Sequence, residues 1–547
     1  MSPTPTSSGT APSIPPSSRF NRIVFYSLLA VFCLWALSLP LFPTQDGPLH
    51  KYYVHVIASL VSGQHFYDAY QIRRPLPPYA IHYLVLFGLS KLVSIDVAEK
   101  FFICLIFLAT ACGFRYCARS LGPSGDSISL CAVPLVLSWP VVMGFLNYSL
   151  AIGLFLFAVG FWLRAADGRP RLWLPFVIVV AILTLTHPVP LLLLIVFCAL
   201  DLMRAVFWDQ GVSRQARGLS GRWLALGAAC LAFLYPLASA DRSRSVSNIA
   251  QIGFHKDAFA ASLALAGLSP FDTRARNFSI DLYRLGLYAA LIAGLALAAT
   301  GIGARWRSRR LRSGDVLFAA SIFLLVAIPF LPEAMNGSDW FARRLLIFPW
   351  LGALAAAAGY ARSERLKWAV PAFVIALSAL VLLPAEHFFR PVARQLADLE
   401  AQPLPPHAQG LAILDGAMLQ SVRTKRQLGF NPYLWGTVLP FIHNDDLMLN
   451  SPWLDLTIMP LKAAPGSPLF VNAMASPEEE EKVINGNINL AKMPDGLRKP
   501  LLDATHLIVY VAVPADVQRG LHSLAGNAEA ARFSCAPHGW YLICTRP

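Results

Sequence analysis

IVFYSLLAVFCLWALSLPLFP, residues 23–43, is an apolar run without a charged residue, and Arg19 and Arg22 precede it. About 20 consecutive apolar residues are what an α-helix needs to cross a bilayer. Similar runs recur as far as residue 384. The first run resembles a signal peptide, but its length and the runs that follow favour a membrane helix that is retained. The pattern predicts a polytopic α-helical membrane protein.

The composition excludes several other classes of protein. The chain is 56% hydrophobic and 14% charged, whereas about a quarter of the residues of a soluble domain are charged. Its 35 glycines and 9 cysteines in 547 residues are too few for a collagen-like or disulfide-scaffold protein. The net charge of +14 resides largely in short loops between apolar runs, so we expect no nucleic-acid partner.

With the first run, the later apolar runs predict about eleven transmembrane helices. These later runs are residues 97–117, 127–143, 148–163, 172–186, 189–206, 223–238, 282–302, 316–331, 345–360 and 368–384. Under this assignment, the arginine-rich loops fall on one side of the membrane. They contain Arg19, Arg22, Arg115, Arg119, Arg164, Arg169, Arg171, Arg204, Arg214, Arg217, Arg222, Arg305, Arg307, Arg309, Arg310, Arg312, Arg362, Arg365 and Lys367. The positive-inside rule therefore predicts a cytoplasmic N-terminus and an external C-terminus.

Three parts follow from this assignment. Residues 1–18 have the composition of a disordered leader, and residues 19–384 form the membrane domain. Treating the apolar segment 78–93 as a span would invert every later loop, so we interpret it as a helix on the outer leaflet. That leaves 44–96 as one long external loop with amphipathic helices, and 385–547 as a C-terminal extracytoplasmic α/β domain.

The tail carries short strand-like and helix-like segments. LAILD, HLIVYVAV and WYLIC, at 411–415, 505–512 and 540–544, are predicted strands, and SPEEEEK at 476–482 is a predicted helix start. HNDD at 443–446 is interpreted as a solvated turn. Cys535 and Cys544 can form a disulfide if the tail is external.

TQDGPLHKYYVH, residues 44–55, is the first candidate for chemistry because it places Asp46 at the membrane edge. Gly47-Pro48 turns the chain into a helix that Asp46 can cap, and capping is the structural alternative to catalysis. His50 lies on that helix. Asp46 and His50 alone fall short of the three or four ligands of a metal site.

The layout resembles the GT-C superfamily of membrane glycosyltransferases over roughly residues 20–390. The resemblance rests on Asp46 just after the first span, the long external loop, PLPPYAIHYLVLFGLSKLV, the acidic DVAEKFF start of the next span, and the polar external tail. It implies a polyprenyl-phosphate-linked sugar as donor, and Asp46 as catalytic base or metal ligand. Many members have two adjacent acidic residues here, whereas the next carboxylate in this loop is Asp68. A divalent Mg or Mn ion therefore stays an open possibility.

Sugar transfer from a lipid phosphate also needs cations that hold the leaving phosphate, and arginine suits phosphate best. The substrate-binding candidates are His50, Arg73, Arg74, His187, Arg343 and Arg344. Further basic candidates in the external loop 239–281 are Arg242, Arg244, Lys256, Arg274 and Arg276. The alternative for Arg343 and Arg344 is anchoring of a helix end at the interface, and for His187 it is helix capping.

The leading hypothesis is a glycosyltransferase at the periplasmic face of a bacterial inner membrane, with a lipid, glycan or protein acceptor. A transporter or flippase of a lipid-linked substrate is the alternative, but few charges lie within the spans and no matching halves occur. A non-catalytic scaffold for polymer assembly is a third hypothesis, in which no first-loop carboxylate matters. The sequence does not distinguish the sugar or the acceptor.

Overall fold

The computed structural model describes residues 16–63, 68–208, 215–239, 254–272, 275, 277–307, 311–331, 341–361, 366–402, 404, 408–414, 436–442, 447–448, 460–464, 505–510, 533–538 and 541–546. The helices are α1 (Pro16–Ser38), α2 (Gly47–Val61), α3 (Ala80–Ser90), α4 (Ile95–Leu121), α5 (Gly125–Ile128), α6 (Trp139–Val142), α7 (Leu146–Ala166), α8 (Trp173–Thr186), α9 (Pro188–Trp208), α10 (Gln215–Ser239), α11 (Lys256–Leu263), α12 (Phe278–Arg307), α13 (Ser313–Ala327), α14 (Phe341–Leu345), α15 (Ile347–Ala357) and α16 (Leu366–Glu400). The strands are β1 (Tyr70–Ile72), β2 (Gln409–Leu414), β3 (Leu447–Met448), β4 (Leu461–Ala463), β5 (His506–Tyr510), β6 (Ser534–His538) and β7 (Tyr541–Thr545).

Nine helical stretches in the described residues are long and apolar enough to cross a membrane. They are Arg19–Ser38, Ile95–Leu121, Gly125–Val142, Leu146–Ala166, Pro188–Phe207, Leu219–Pro236, Phe278–Gly303, Ser313–Phe330 and Trp368–Glu400. The predicted polytopic helical fold with a strand-containing tail is confirmed, but the count of about eleven is not. The predicted spans at 172–186 and 345–360 correspond to α8 and α15, which have 14 and 11 residues.

One of the nine stretches, Gly125–Val142, is broken into short pieces. α5 leads into a 3-10 helix, Ser129–Leu135, and α6 follows after a bend. Pro134 and Pro140 lack the N–H that a continuous helix needs. The stretch is 89% buried, so surrounding protein replaces the solvation that irregular backbone would lose in lipid. The broken end brings residues 142–147 against the start of α2.

α4 and α7 pack closely in the interior of the bundle because small residues face each other. A Cβ added to Gly153 of α7 would lie 2.5 Å from the Ala109 carbonyl carbon of α4. Such close approach of small residues is a common way to pack helices in membranes. α4 has 27 residues and is therefore about 40 Å long. Its first turn lies beside α2, and its last turn lies among the arginine-rich loops.

The first loop folds into α2, β1 and α3, which together form one lobe of the bundle. α3 has 11 residues, too few to cross the hydrocarbon core, which agrees with its interpretation as a surface helix. β1 pairs antiparallel with β4 of the C-terminal region. The N–H of Arg73 also donates to the Pro460 carbonyl at 2.7 Å. The first loop and the tail therefore lie on the same side of the bundle.

The tail contains a five-stranded sheet of order β3-β2-β5-β7-β6. β2 runs parallel to β3 and β5, while β7 runs antiparallel to β5 and β6. The three predicted strands correspond to β2, β5 and β7. Cys544 is disulfide-bonded, and Cys535 is its cross-strand neighbour. The segments SPEEEEK and HNDD lie outside the described residues.

Candidate active site

Backbone hydrogen bonds hold Asp46 against the broken span. The N–H groups of Gln45 and Asp46 donate to the carbonyls of Val142 and Met143, each at 3.1 Å. Gly144 follows with a φ of +81°, which favours glycine. A Cβ at Gly144 would lie 2.9 Å from the Asp46 nitrogen and 3.0 Å from its Cβ. The position of Asp46 thus depends on a contact between segments about 100 residues apart.

The Asp46 side chain does not cap α2, although the residue occupies the N-cap position. The hydroxyl of Thr44 accepts the Gly47 N–H instead, at 3.0 Å. Asp46 is only 6% exposed. The capping interpretation of its carboxylate is therefore not supported, and the catalytic interpretation keeps its place as a hypothesis.

His50, His82 and Tyr83 form a buried cluster next to Asp46. His50 Nε2 donates to the Gly144 carbonyl at 3.2 Å, so Nδ1 of the neutral ring is the acceptor. The Tyr83 hydroxyl and His82 Nε2 lie 2.9 and 3.2 Å from that Nδ1. Burial lowers the pKa of His50 to about 4 and that of His82 well below its ordinary value. Both rings are thus neutral at pH 7.

The negative charge of Asp46 affects the pKa of the Tyr83 hydroxyl. Burial raises the pKa of the Tyr83 hydroxyl well above its ordinary value, and the Asp46 carboxylate raises it further. Tyr83 therefore stays protonated and can donate its hydroxyl proton to His50 Nδ1. This orients the imidazole beside Gly144, so His50 has the contacts of a neutral positioning residue.

A second set of charges lies beside α2, and the sequence analysis did not single it out. Lys51 Nζ lies 2.6 Å from Asp96 Oδ1 and 3.5 Å from Glu400 Oε2. Burial alone would lower the pKa of Lys51, but the carboxylates of Glu400 and Asp96 outweigh it and raise that pKa. The lysine is therefore charged and balances buried acids from α4 and α16.

Glu99 brings a further carboxylate to the segment that follows Asp46. It is 2% exposed, and its Oε1 has no hydrogen-bond partner among the described residues. A Cβ at Gly47 would lie 2.3 Å from that oxygen. The acidic DVAEKFF stretch was the available signal, but a carboxylate in a first helical turn is ordinarily explained by the helix dipole. Within the described part of the chain, no three His, Cys, Asp or Glu residues are placed to hold a metal ion.

His187 belongs to a neighbouring cluster with Tyr79 and Tyr148. α8 ends before it because the residue preceding a proline disfavours the helical conformation. His187 Nδ1 accepts the Val189 N–H at 3.2 Å, so Nε2 donates to the Tyr79 hydroxyl at 2.8 Å. Its ring packs edge-on against Tyr148 at 4.8 Å. Burial lowers the pKa of His187 well below its ordinary value, and the nearby charge of Arg344 lowers it further.

Asn147 connects the two histidine clusters. Its Oδ1 accepts the His82 N–H at 3.0 Å, and its amide nitrogen donates to the Tyr79 carbonyl. This fixes the start of α3 to the start of α7. The polar residues at these helix ends are therefore joined in one network. It contains His50 and His187, which the sequence predicts as substrate-binding residues, and it adds Tyr79 and His82.

Arg343 and Arg344 pack on two aromatic rings, Trp139 and Phe145, that flank the backbone holding Asp46. The Arg343 guanidinium lies 4.1 Å from the Trp139 ring centroid, and Arg344 lies 3.6 Å from that of Phe145. Arg343 Nε also donates to the Ala266 carbonyl at 3.2 Å. Aromatic faces attract guanidinium groups, so these contacts hold two cations of α14 against the residues on either side of the segment that positions Asp46.

The remaining basic candidates belong to other segments of the chain. Arg73 and Arg74 follow β1, next to the strand from the tail, and Arg74 is exposed. Lys256 begins α11. The arginines at 242, 244, 274 and 276 lie outside the described residues.

Neither a protein-family model nor a curated protein matches the sequence. Several solved structures resemble the chain. ArnT from Cupriavidus metallidurans bound to undecaprenyl phosphate is 15% identical, with 96% of this chain and 98% of that chain covered and a TM-score of 0.46. Arabinofuranosyltransferase AftD from Mycobacteria is 14% identical over 96% and 40%, with a TM-score of 0.47.

An Archaeoglobus fulgidus oligosaccharyltransferase is 11% identical over 97% of this chain and 75% of that chain, with a TM-score of 0.43. Likeness at this level says nothing about the chemistry of this chain, which depends on its own residues.

Proposed function

We propose that the protein is a membrane glycosyltransferase that moves a sugar from a polyprenyl-phosphate donor to an acceptor hydroxyl, with Asp46 as general base. The observation that carries the proposal is the placement of Asp46. A buried carboxylate that does not cap its helix is held by two backbone hydrogen bonds to Val142 and Met143. Arg343 and Arg344 pack on the rings of Trp139 and Phe145, on either side of those two residues.

The reaction assigns each group a task. The acceptor oxygen forms a bond to the anomeric carbon of the sugar, while the bond from that carbon to the lipid phosphate oxygen breaks. Asp46 takes the acceptor proton, since general base catalysis needs a carboxylate within hydrogen-bond reach of the hydroxyl. The phosphate leaves with increased negative charge, which fixed guanidinium groups stabilise. Arg344 is the cation we assign to that task, and Arg343 supports it.

The neutral residues around Asp46 suit this chemistry. His50 and Tyr83 hold the Gly144 carbonyl and the start of α2 in place without adding charge. Because Asp46 is 6% exposed, an acceptor hydroxyl that reaches it is shielded from water. Shielding from water limits hydrolysis of the activated sugar. The acceptor hydroxyl can belong to a lipid, a glycan or a protein.

We place Asp46 and the tail on the external side, which in a bacterium is the periplasmic side of the inner membrane. Arg115 and Arg119 in the last turns of α4 support this, since positively charged helix ends and loops stay in the cytoplasm. The disulfide at Cys544 supports it too, because disulfides persist outside the cytoplasm. Alkaline phosphatase fused to the C-terminus should be active in cells, and an inactive but intact fusion would contradict this orientation.

Transfer in purified protein tests the proposal. Asp46→Asn should lower turnover of a polyprenyl-phosphate sugar by about 10²-fold or more, the usual contribution of a general base. Asp68→Asn is the matched control, because Asp68 is an exposed carboxylate of the same loop and turnover should be unchanged. Equal turnover in both variants would reject the role of Asp46. Movement of the lipid across liposomes without chemical change would favour the transporter hypothesis.

A further inference from the structure

A polar cavity of about 580 Å³ lies at the end of the bundle opposite to Asp46. Ser120 and Leu121, at the end of α4, and Ala166, at the end of α7, line it. Since α4 begins beside Lys51 and is about 40 Å long, this cavity is remote from the candidate active site. The candidate active site therefore does not explain its charged lining.

Three arginines and one aspartate line this cavity, which gives it an excess of positive charge. They are Arg204, Arg222, Arg312 and Asp167. Arg204 is already balanced, because its Nε lies 2.9 Å from the fully buried Asp201. Arg222 is 8% exposed, and its Nε has no hydrogen-bond partner in the described residues. A buried guanidinium N–H without an acceptor is costly, and an anion in the cavity would supply one.

An apolar groove of about 780 Å³ continues from the cavity. The two share Arg204 and Leu311 in their linings. The groove runs between α9 and α13, and apart from Arg204, Asp315 and Ser321 its lining is apolar, with several of these side chains exposed on the surface of the bundle. They include Leu192, Val196, Phe207 and Phe323. A cationic cavity that opens into an apolar groove matches a molecule with a charged head and a hydrocarbon chain.

We propose that this cavity and groove bind an anionic membrane phospholipid, with its phosphate at Arg222 and Arg312 and an acyl chain in the groove. Basic pockets between membrane helices are typical sites for anionic headgroups. A guanidinium group binds two phosphate oxygens at once. A free phosphate ion would satisfy the arginines but leave the groove without an occupant, so the lipid is the ligand we assign.

Native mass spectrometry of the full chain in detergent tests the proposal, titrated with dioleoyl phosphatidylglycerol and, for comparison, with dioleoylglycerol, which lacks the phosphate. The wild type should retain the phospholipid and not the neutral lipid. Arg222→Gln should weaken binding about tenfold, the order expected when one charge-assisted hydrogen bond is lost. Arg171→Gln is the matched control, because Arg171 is an exposed arginine at the same end but outside the cavity.

Two further variants keep the test decisive. Arg312 is exposed, so Arg312→Gln should fold and weaken binding even if Arg222→Gln does not fold. Ala319→Trp fills the groove and should weaken binding of the lipid while leaving the arginines intact. Equal binding by the Arg222, Arg312 and Arg171 variants would overturn the proposal. So would displacement of the lipid by inorganic phosphate together with unchanged binding in Ala319→Trp, since that result means a free-phosphate site.

Discussion

Gly144→Ala should lower the activity of this protein far more than it lowers its stability. Gly144 adopts a φ of +81°, and a methyl group there would lie 2.9 Å from the Asp46 nitrogen and 3.0 Å from the Gly47 nitrogen. The left-handed conformation costs a residue with a Cβ about 1–2 kcal/mol. The contacts add a second effect, because the neighbours of the new methyl group are backbone atoms that cannot rotate away.

The second effect falls on Asp46. Relief of the contacts has to push the chain at Asp46 away from the loop that holds it. A shift of about 1 Å in a catalytic group can lower a rate about 10²-fold. We therefore expect Gly144→Ala to lower turnover by that factor while lowering the free energy of unfolding only modestly.

Gly63→Ala is the matched control. Gly63 has a φ of +77°, almost the same as Gly144, but nothing lies within 4 Å of its added Cβ. Both variants carry the same backbone strain, so both thermal unfolding midpoints in detergent should fall, and that of Gly144→Ala should fall further because of its added contacts. Only Gly144→Ala should lose sugar transfer from the polyprenyl-phosphate donor. Equal turnover of the two folded variants would refute the argument that Gly144 positions Asp46.

Other predictions concern buried charge and the disulfide. The pKa of His50 is about 4 in the folded protein, below its unfolded value of 6.5. The stability that the neutral ring contributes is therefore present above pH 6.5 and is lost as the pH falls towards 4. Thermal unfolding between pH 7 and 4 should depend less on pH in His50→Gln than in the wild type, and an unchanged slope would contradict this. Lys51→Met should destabilise the protein by about 3–5 kcal/mol because it leaves buried carboxylates unbalanced, whereas the exposed Lys91→Met should have little effect in the same unfolding assay. Alkylation of the denatured chain should label the seven free cysteines without reductant and all nine after reduction, and labelling of nine before reduction would exclude a disulfide between Cys535 and Cys544.

The general architecture could be predicted because it depends on local hydropathy. Long apolar runs such as residues 23–43 are visible in the composition alone, and they predict the membrane helices. The short helix at α3 and the strands of the tail follow from similar local patterns. The count of spans could not be predicted as well, because α8 and α15 are apolar enough but too short, and length is the least reliable part of such a prediction.

The surroundings of Asp46 were decided only by the tertiary structure. The sequence determined that a carboxylate follows the first span and precedes a helix, and it left capping and catalysis as alternatives. Three contacts join segments that are about 50 to 350 residues apart in the sequence. Gly144 packs against Asp46, Glu99 lies close to Gly47, and Lys51 pairs with Glu400. Local periodicity records which face of a helix is apolar, but not which distant segment packs against it. Such contacts exist only once the helices have packed, and for that reason the site is a property of the fold.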